Sequence, residues 1–130
     1  DNSGIILPHQ IISKEDANNI SIVKMAIDSE SNVRYLSRSL IPFNHKEEKS
    51  TIGRLVFMKH LSVIGFTNKA LEKYSNLGQT YLESLEDIEL LRALENDIPI
   101  FSPKSYSETF SIDTESDYLK AIKLVQEQNN

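Results

Sequence analysis

Four side chains stand where an apolar pattern would not put them, and each could do chemistry. Arg38 closes the segment Ser37-Arg38-Ser39 just before Ile41-Pro42. A guanidinium at a strand end can grip a carboxylate through two parallel hydrogen bonds, although the same place suits a solvated arginine. His60 interrupts the apolar stretch Leu55–Ile64. It reads either as a satisfied core histidine or as a contact for a polar ligand. On a helical wheel, Glu89 falls between Leu82 and Leu85 on an apolar face, with Arg92 three residues later. A carboxylate there is costly unless it is paired or lines a cavity. The two readings are a Glu89–Arg92 ion pair and a carboxylate presented to a ligand. Asp113 lies between a short apolar run and a helix start, where it can serve the cap or hold a hard cation. One carboxylate alone does not hold Mg²⁺, so a partner from elsewhere is required.

Several chemistries are excluded. The histidines (His9, His45, His60) have no metal-ligand spacing, which rejects zinc. The four glycines match neither phosphate-loop pattern, and no Ser-His-Asp order is persuasive. A net charge of −5 with scattered lysines and arginines argues against nucleic acid and acidic lipid as partners. No run of about 18 apolar residues is present, so no membrane span is expected. The first ten residues show no secretory signal. The absence of cysteine fits a reducing cytoplasm.

The elements that must position these groups can be read from periodicity and breakers. With 130 residues at 39% hydrophobic and 25% charged, the chain reads as one unit, 1–130, with one modest core. Ile5–Leu7 reads as an edge or terminal strand ended by Pro8, and Ser13–Asn19 as a loop or helical turn. Ile20–Ile27 and Val33–Leu36 read as strands around the polar turn Asp28–Asn32, a β-hairpin. Asn44–Thr51 is a charged loop. Leu55–Ile64 reads as a buried strand and Asn68–Tyr74 as a short helix stopped by Asn76-Leu77-Gly78. Thr80–Asn96 is the clearest helix. Ile98–Phe101 and Phe110–Ile112 read as strands. A last helix starts at Thr114 with Asp117 three residues on, its inner face formed by Tyr118, Leu119, Ile122 and Val125. The predicted class is α/β, a mixed sheet with packed helices rather than a complete doubly wound fold.

The motifs in order are Val-Lys at 23–24, YLSRSLIP at 35–42, KHLSVIGF at 59–66, YLESLEDIELLRALEND at 81–97 and SIDTESDY at 111–118. This set resembles the carboxy-terminal half of the CMP-3-deoxy-manno-octulosonate synthetases, which read VKVV, YFSRxPIP, HxGxYxYR, LExxExLEQLRxLExG and VDTPEDL at similar spacings. The resemblance covers nearly the whole chain. It implies the carboxy-terminal part of a Rossmann-like nucleotide-diphospho-sugar transferase fold, with residues 20–42 as a dimerisation hairpin region. The implied reaction joins CTP and an eight-carbon sugar acid to give the CMP-sugar and pyrophosphate, for lipopolysaccharide or surface polysaccharide. Such a cytidylyltransferase is a cytoplasmic homodimer that uses Mg²⁺. The resemblance makes Asp113 the catalytic metal ligand and places Ser37, Arg38, His60 and Glu89 on the sugar acid.

The departures are specific. Ser62 replaces the family's glycine, Ile64 and Phe66-Thr67 replace Tyr and Tyr-Arg, and Leu90 replaces Gln. Loss of hydroxyl-binding groups at 64 and 90 points to a different or modified acid, because sites built for hydroxyls discriminate strongly. The family's CTP-binding loop and second metal aspartate precede the region matched here, so the chain as given is expected to be inactive alone. Two alternatives follow: a non-catalytic dimerisation module, or a cytidylyltransferase for an amino-sugar acid or phosphonate.

Overall fold

The computed structural model describes residues 4–45, 55–106, 109, 112 and 114–128. The order is β1 (Ile5–Ile6), β2 (His9–Ile12), α1 (Lys14–Ala17), β3 (Lys24–Ile27), β4 (Val33–Ser37), β5 (Phe57–His60), β6 (Gly65–Phe66), α2 (Asn68–Ser75), α3 (Tyr81–Glu86), α4 (Leu91–Glu95), β7 (Ile100–Phe101) and α5 (Glu115–Gln128). The strands form two sheets, ordered β6-β1-β7 and β2-β5-β3-β4. The mixed α/β class read from the sequence holds.

In the smaller sheet β1 runs antiparallel to β6 and parallel to β7. Ile5–Leu7, read as an edge or terminal strand, therefore supplies the chain's first strand at the centre of its sheet and not at an edge. Ile5 and Leu7 are buried while Ile6 is exposed, the alternation that a pleated strand imposes. Gly4 permits the approach to β7. A Cβ there would stand 2.9 Å from the Pro99 carbonyl oxygen, the same oxygen that accepts from the Ile5 N–H. The core gathers Ile5, Leu7, Met25, Leu36, Ile88, Leu90, Leu91, Ile98 and Ile100, each fully buried side chain contributing about 1.5–3 kcal/mol.

In the larger sheet all neighbours are antiparallel, and β3 and β4 form the expected hairpin. Asp28 organises its turn. Its carboxylate accepts from the Glu30 and Asn32 N–H groups at 2.9 Å and from the Arg34 Nε at 2.8 Å. The bond from the Asn32 backbone comes first among the causes that hold its acid well down, at about 2. Ser31 takes the left-handed conformation, φ 64°. The strand starts at Lys24 rather than Ile20, because Asn19 makes a turn instead. Its side chain accepts from the Ser21 N–H and its carbonyl from the Ile22 N–H. Ile20 is left exposed.

The predicted strand Leu55–Ile64 is shorter too. After His60 the chain crosses from one sheet to the other, leaving Val63 and Ile64 exposed before β6. The single helix expected over Thr80–Asn96 is two. Asp87 adopts φ 54°, ψ 50° and ends α3. Aspartate tolerates this left-handed geometry better than most residues. Ile88–Leu90 then form a turn that buries Ile88 and Leu90 before α4.

The Thr114–Asp117 cap is formed as predicted, with Asp117 Oδ2 accepting from the Thr114 N–H at 3.0 Å. The inner face expected for α5 is not covered among the described residues. Tyr118, Leu119 and Val125 are each more than half exposed. Most of the charged loop Asn44–Thr51, and the predicted strand Phe110–Ile112 except Ile112, lie outside the described residues.

Candidate functional site

The register of the larger sheet decides which predicted residues meet. Lys24 pairs with Ser37 on one side and Lys59 on the other, and Lys59 pairs with Gln10. Strands β4 and β5 both run antiparallel to β3, so they run parallel to each other. The next residue of each, Arg38 and His60, therefore leaves the same end of the sheet. Two strand spacings, about 10 Å, separate them.

At this sheet end β4 is clasped to the end of α3. The Glu86 carboxylate accepts the Ser37 hydroxyl at 2.6 Å and the Arg38 N–H at 2.9 Å, and Tyr35 Oη donates to it at 3.4 Å. The Arg38 guanidinium donates through Nε to the Glu86 carbonyl at 2.8 Å. It also donates to the Asp87 carbonyl at 3.0 Å and the Ile20 carbonyl at 3.3 Å. A cation on the last carbonyls of a helix meets the negative end of its dipole. The Asp87 carboxylate lies 3.8 Å from Arg38 Nη2. Arginine has five N–H donors. Three go to these carbonyls, and two remain for a ligand. Arg38 is thus neither a free surface arginine nor fully consumed. Ser37 is buried, and its hydroxyl proton goes to Glu86.

His60 is half-buried, and its Nδ1 lies 3.0 Å from the Leu61 carbonyl. A carbonyl only accepts, so Nδ1 carries the proton and Nε2 is the acceptor of the neutral ring. Across the strands it faces His9, which the sequence reading passed over. His9 is buried. Ser102 Oγ donates to the Leu7 carbonyl at 2.6 Å, so His9 Nδ1 must donate to that Oγ at 2.9 Å. Burial pushes the His9 imidazole below its ordinary value, and Lys104 adds to this against the opposing Ser102 backbone bond. An isolated histidine before an apolar pair gives little sign of such a network.

Glu89 lies in the α3–α4 turn, two residues past Asp87, and is exposed rather than set in the core. The expected Glu89–Arg92 pair is not formed. Arg92 instead meets Glu83 through Nε at 2.9 Å and Nη2 at 2.5 Å. The break at Asp87 is the reason. In a straight helix residues 83 and 92 would stand about 13 Å apart along the axis, whereas the folded-back α4 brings them together. Leu90, expected in the ligand pocket, is buried in the core, and Ile64 is exposed. The structure therefore gathers Ser37, Arg38 and the turn that carries Glu89, with His60 at the same sheet end. Asp113 lies outside the described residues. Among the described residues no three His, Asp or Glu side chains gather as a metal site, and none of their helices is long and apolar enough to cross a membrane.

The family model described as "Cytidylyltransferase" matches residues 7–100. The chain belongs to the cytidylyltransferase family. It is 38% identical over 122 residues to the 3-deoxy-manno-octulosonate cytidylyltransferase of Rickettsia canadensis (strain McKiel), covering 94% of this chain and 46% of that protein. It is 37% identical over 125 residues to the protein of the same name from Rickettsia prowazekii (strain Madrid E), covering 96% and 47%. The chain thus spans about half the length of the curated relatives it matches. A CMP:2-keto-3-deoxy-manno-octonic acid synthetase solved in complex with CTP superposes with a TM-score of 0.87 at 24% identity, over 98% of this chain and 51% of that one. This chain of the cytidylyltransferase family therefore shares the fold of about half of that synthetase, in line with the resemblance of its motifs.

Proposed function

We propose that the complete protein containing this chain activates a 3-deoxy-manno-octulosonate-like sugar acid with CTP, releasing pyrophosphate, and that this chain supplies the acid-binding side. The observation that carries the reading is the placement of Arg38 and His60 at one end of one sheet, in a chain of the cytidylyltransferase family. In the reaction the anomeric hydroxyl oxygen forms a bond to the α-phosphorus of CTP. The bond from that phosphorus to the pyrophosphate oxygen breaks, and the hydroxyl proton is lost. The chain's part is positioning. The two uncommitted N–H donors of Arg38 hold the acid's carboxylate. His60 Nε2 accepts from a sugar hydroxyl, and the exposed carboxylate of Glu89 accepts from another. Ser37 acts by joining β4 to Glu86.

Mg²⁺, held in part by Asp113, belongs to the proposal through the family resemblance. Among the described residues no three His, Asp or Glu side chains supply its site. A cytoplasmic homodimer serving surface-polysaccharide synthesis, with the hairpin region 20–42 at the dimer contact, completes the reading.

The test is CTP-dependent pyrophosphate release by the complete protein over a panel of sugar acids, with Mg²⁺ varied. Release with an octulosonate-type acid is expected, and Asp113→Asn should abolish it while leaving the melting temperature unchanged. A folded protein that releases pyrophosphate with no acid in the panel overturns the proposed function. Full turnover in Asp113→Asn overturns the metal assignment.

A further inference from the structure

Lys24 is fully buried in the middle of the larger sheet. Its Nζ donates to the carbonyls of Asn19 at 2.9 Å, Ile22 at 2.7 Å and Arg38 at 2.5 Å. An ammonium has three N–H donors and no acceptor, so the three carbonyls use its whole capacity. None of the three bonds goes to a carboxylate. Burial pushes the amine below its ordinary value, and Arg38 adds to this, while the charge of Glu86 opposes both. Only the charged form can meet three carbonyls at once, since a neutral amine would turn a lone pair toward one of them. A buried cation is costly to keep, and an apolar side chain of similar length would fill the same space. Packing alone does not account for it.

What the three bonds join is informative. They tie the turn at residues 19–22 to the strand end that bears Arg38, and the Arg38 guanidinium grips Ile20 of that same turn. The Arg38 peptide is then held from both sides. Glu86 accepts its N–H and Lys24 donates to its carbonyl. The backbone of this one residue is fixed by two charged side chains, one from β3 and one from α3, while the carbonyls of Glu86, Asp87 and Ile20 hold its guanidinium.

We propose that Lys24 and Glu86 are positioning residues that aim the free N–H donors of Arg38 at the carboxylate of the sugar acid. This rests on the reading of Arg38 as the acid-binding residue. The complete protein is compared with Lys24→Met and Glu86→Gln by steady-state kinetics. KM for the acid should rise about tenfold to a hundredfold, the penalty of a misaimed contact, with KM for CTP nearly unchanged. Adding either substitution to Arg38→Ala should change nothing further, because residues that act through one another are non-additive. Unchanged KM for the acid in both variants, or full additivity with Arg38→Ala, overturns the proposal. Should Lys24→Met not fold, Glu86→Gln carries the same test. If the wild-type protein turns over no acid, the functional reading fails and the positioning is decided separately by NMR. Slow exchange of the Arg38 Nε–H in the wild-type protein, lost in Glu86→Gln, sustains it. Equal exchange in both overturns it.

Discussion

Arg38→Ala in the complete protein is expected to lower kcat/KM for the sugar acid by about 10²–10³-fold, the usual penalty for truncating one partner of a hydrogen-bonded charge pair. Two effects are combined in that loss. One is the carboxylate grip. The other is the clasp, since the same side chain donates to the Glu86, Asp87 and Ile20 carbonyls. Arg38→Lys separates them. Lysine keeps the charge but not the planar fork, and its single nitrogen cannot reach three carbonyls and a ligand together. It should therefore recover little activity if geometry matters, and most of it if charge alone matters. Thermal melting of both variants gives the clasp contribution independently. A variant that melts early but keeps wild-type KM for the acid would remove Arg38 from the binding site and leave it a structural role.

The parts of this molecule that sequence could show are those where one residue type has one job. Asp28, Ser31 and Asn32 can hardly do anything but turn a chain, so the β3–β4 hairpin was visible. Thr114 with Asp117 announced the start of α5. The candidate site is legible only as a set of misplaced polar residues, of which Arg38 and His60 share a sheet end. The partners of Arg38 and Ser37, and the Ser102 partner of His9, were hidden because they depend on long-range register. Lys24, Glu86 and Ser102 bond to groups 14, 49 and 93 residues away. No local period carries that information. The break at Asp87 was missed for a different reason. Leu82, Leu85 and Ile88 keep helical spacing, and an aspartate that goes left-handed costs too little to leave a mark in composition. Once the helix breaks, the face on which Glu89 was placed no longer exists. The burial moves to Glu83, whereas Leu85 becomes exposed.

That shift makes Glu83 the site of the largest expected loss of stability. Its carboxylate is buried and takes Arg92 through two nitrogens, plus the Thr80 N–H at 3.0 Å in the cap of α3. Arg92 in turn lies 5.1 Å over the Tyr74 ring and reaches the Leu77 carbonyl, so the pair joins α2, α3 and α4. Breaking a buried pair by removing one partner costs more than the pair contributes, because the other charge is stranded. Glu83→Ala is expected to destabilise by about 3 kcal/mol, which for a domain of this size lowers Tm by roughly 10 °C. Glu83→Gln keeps the cap to Thr80 and should lose about half as much. The acid limb offers a second readout. The Arg92 hydrogen bonds hold the Glu83 carboxyl below its ordinary value of 4.5. A lowered acid stabilises the fold fully above its unfolded value, and that stability is lost as pH falls through the folded one. Wild-type Tm should therefore drop below pH 4.5, and the upper part of that drop should flatten in Glu83→Gln. Asp28 accounts for the part that persists, from 3.8 down to about 2. Identical acid limbs in the two proteins would mean that Glu83 is not the group that couples the three helices to pH.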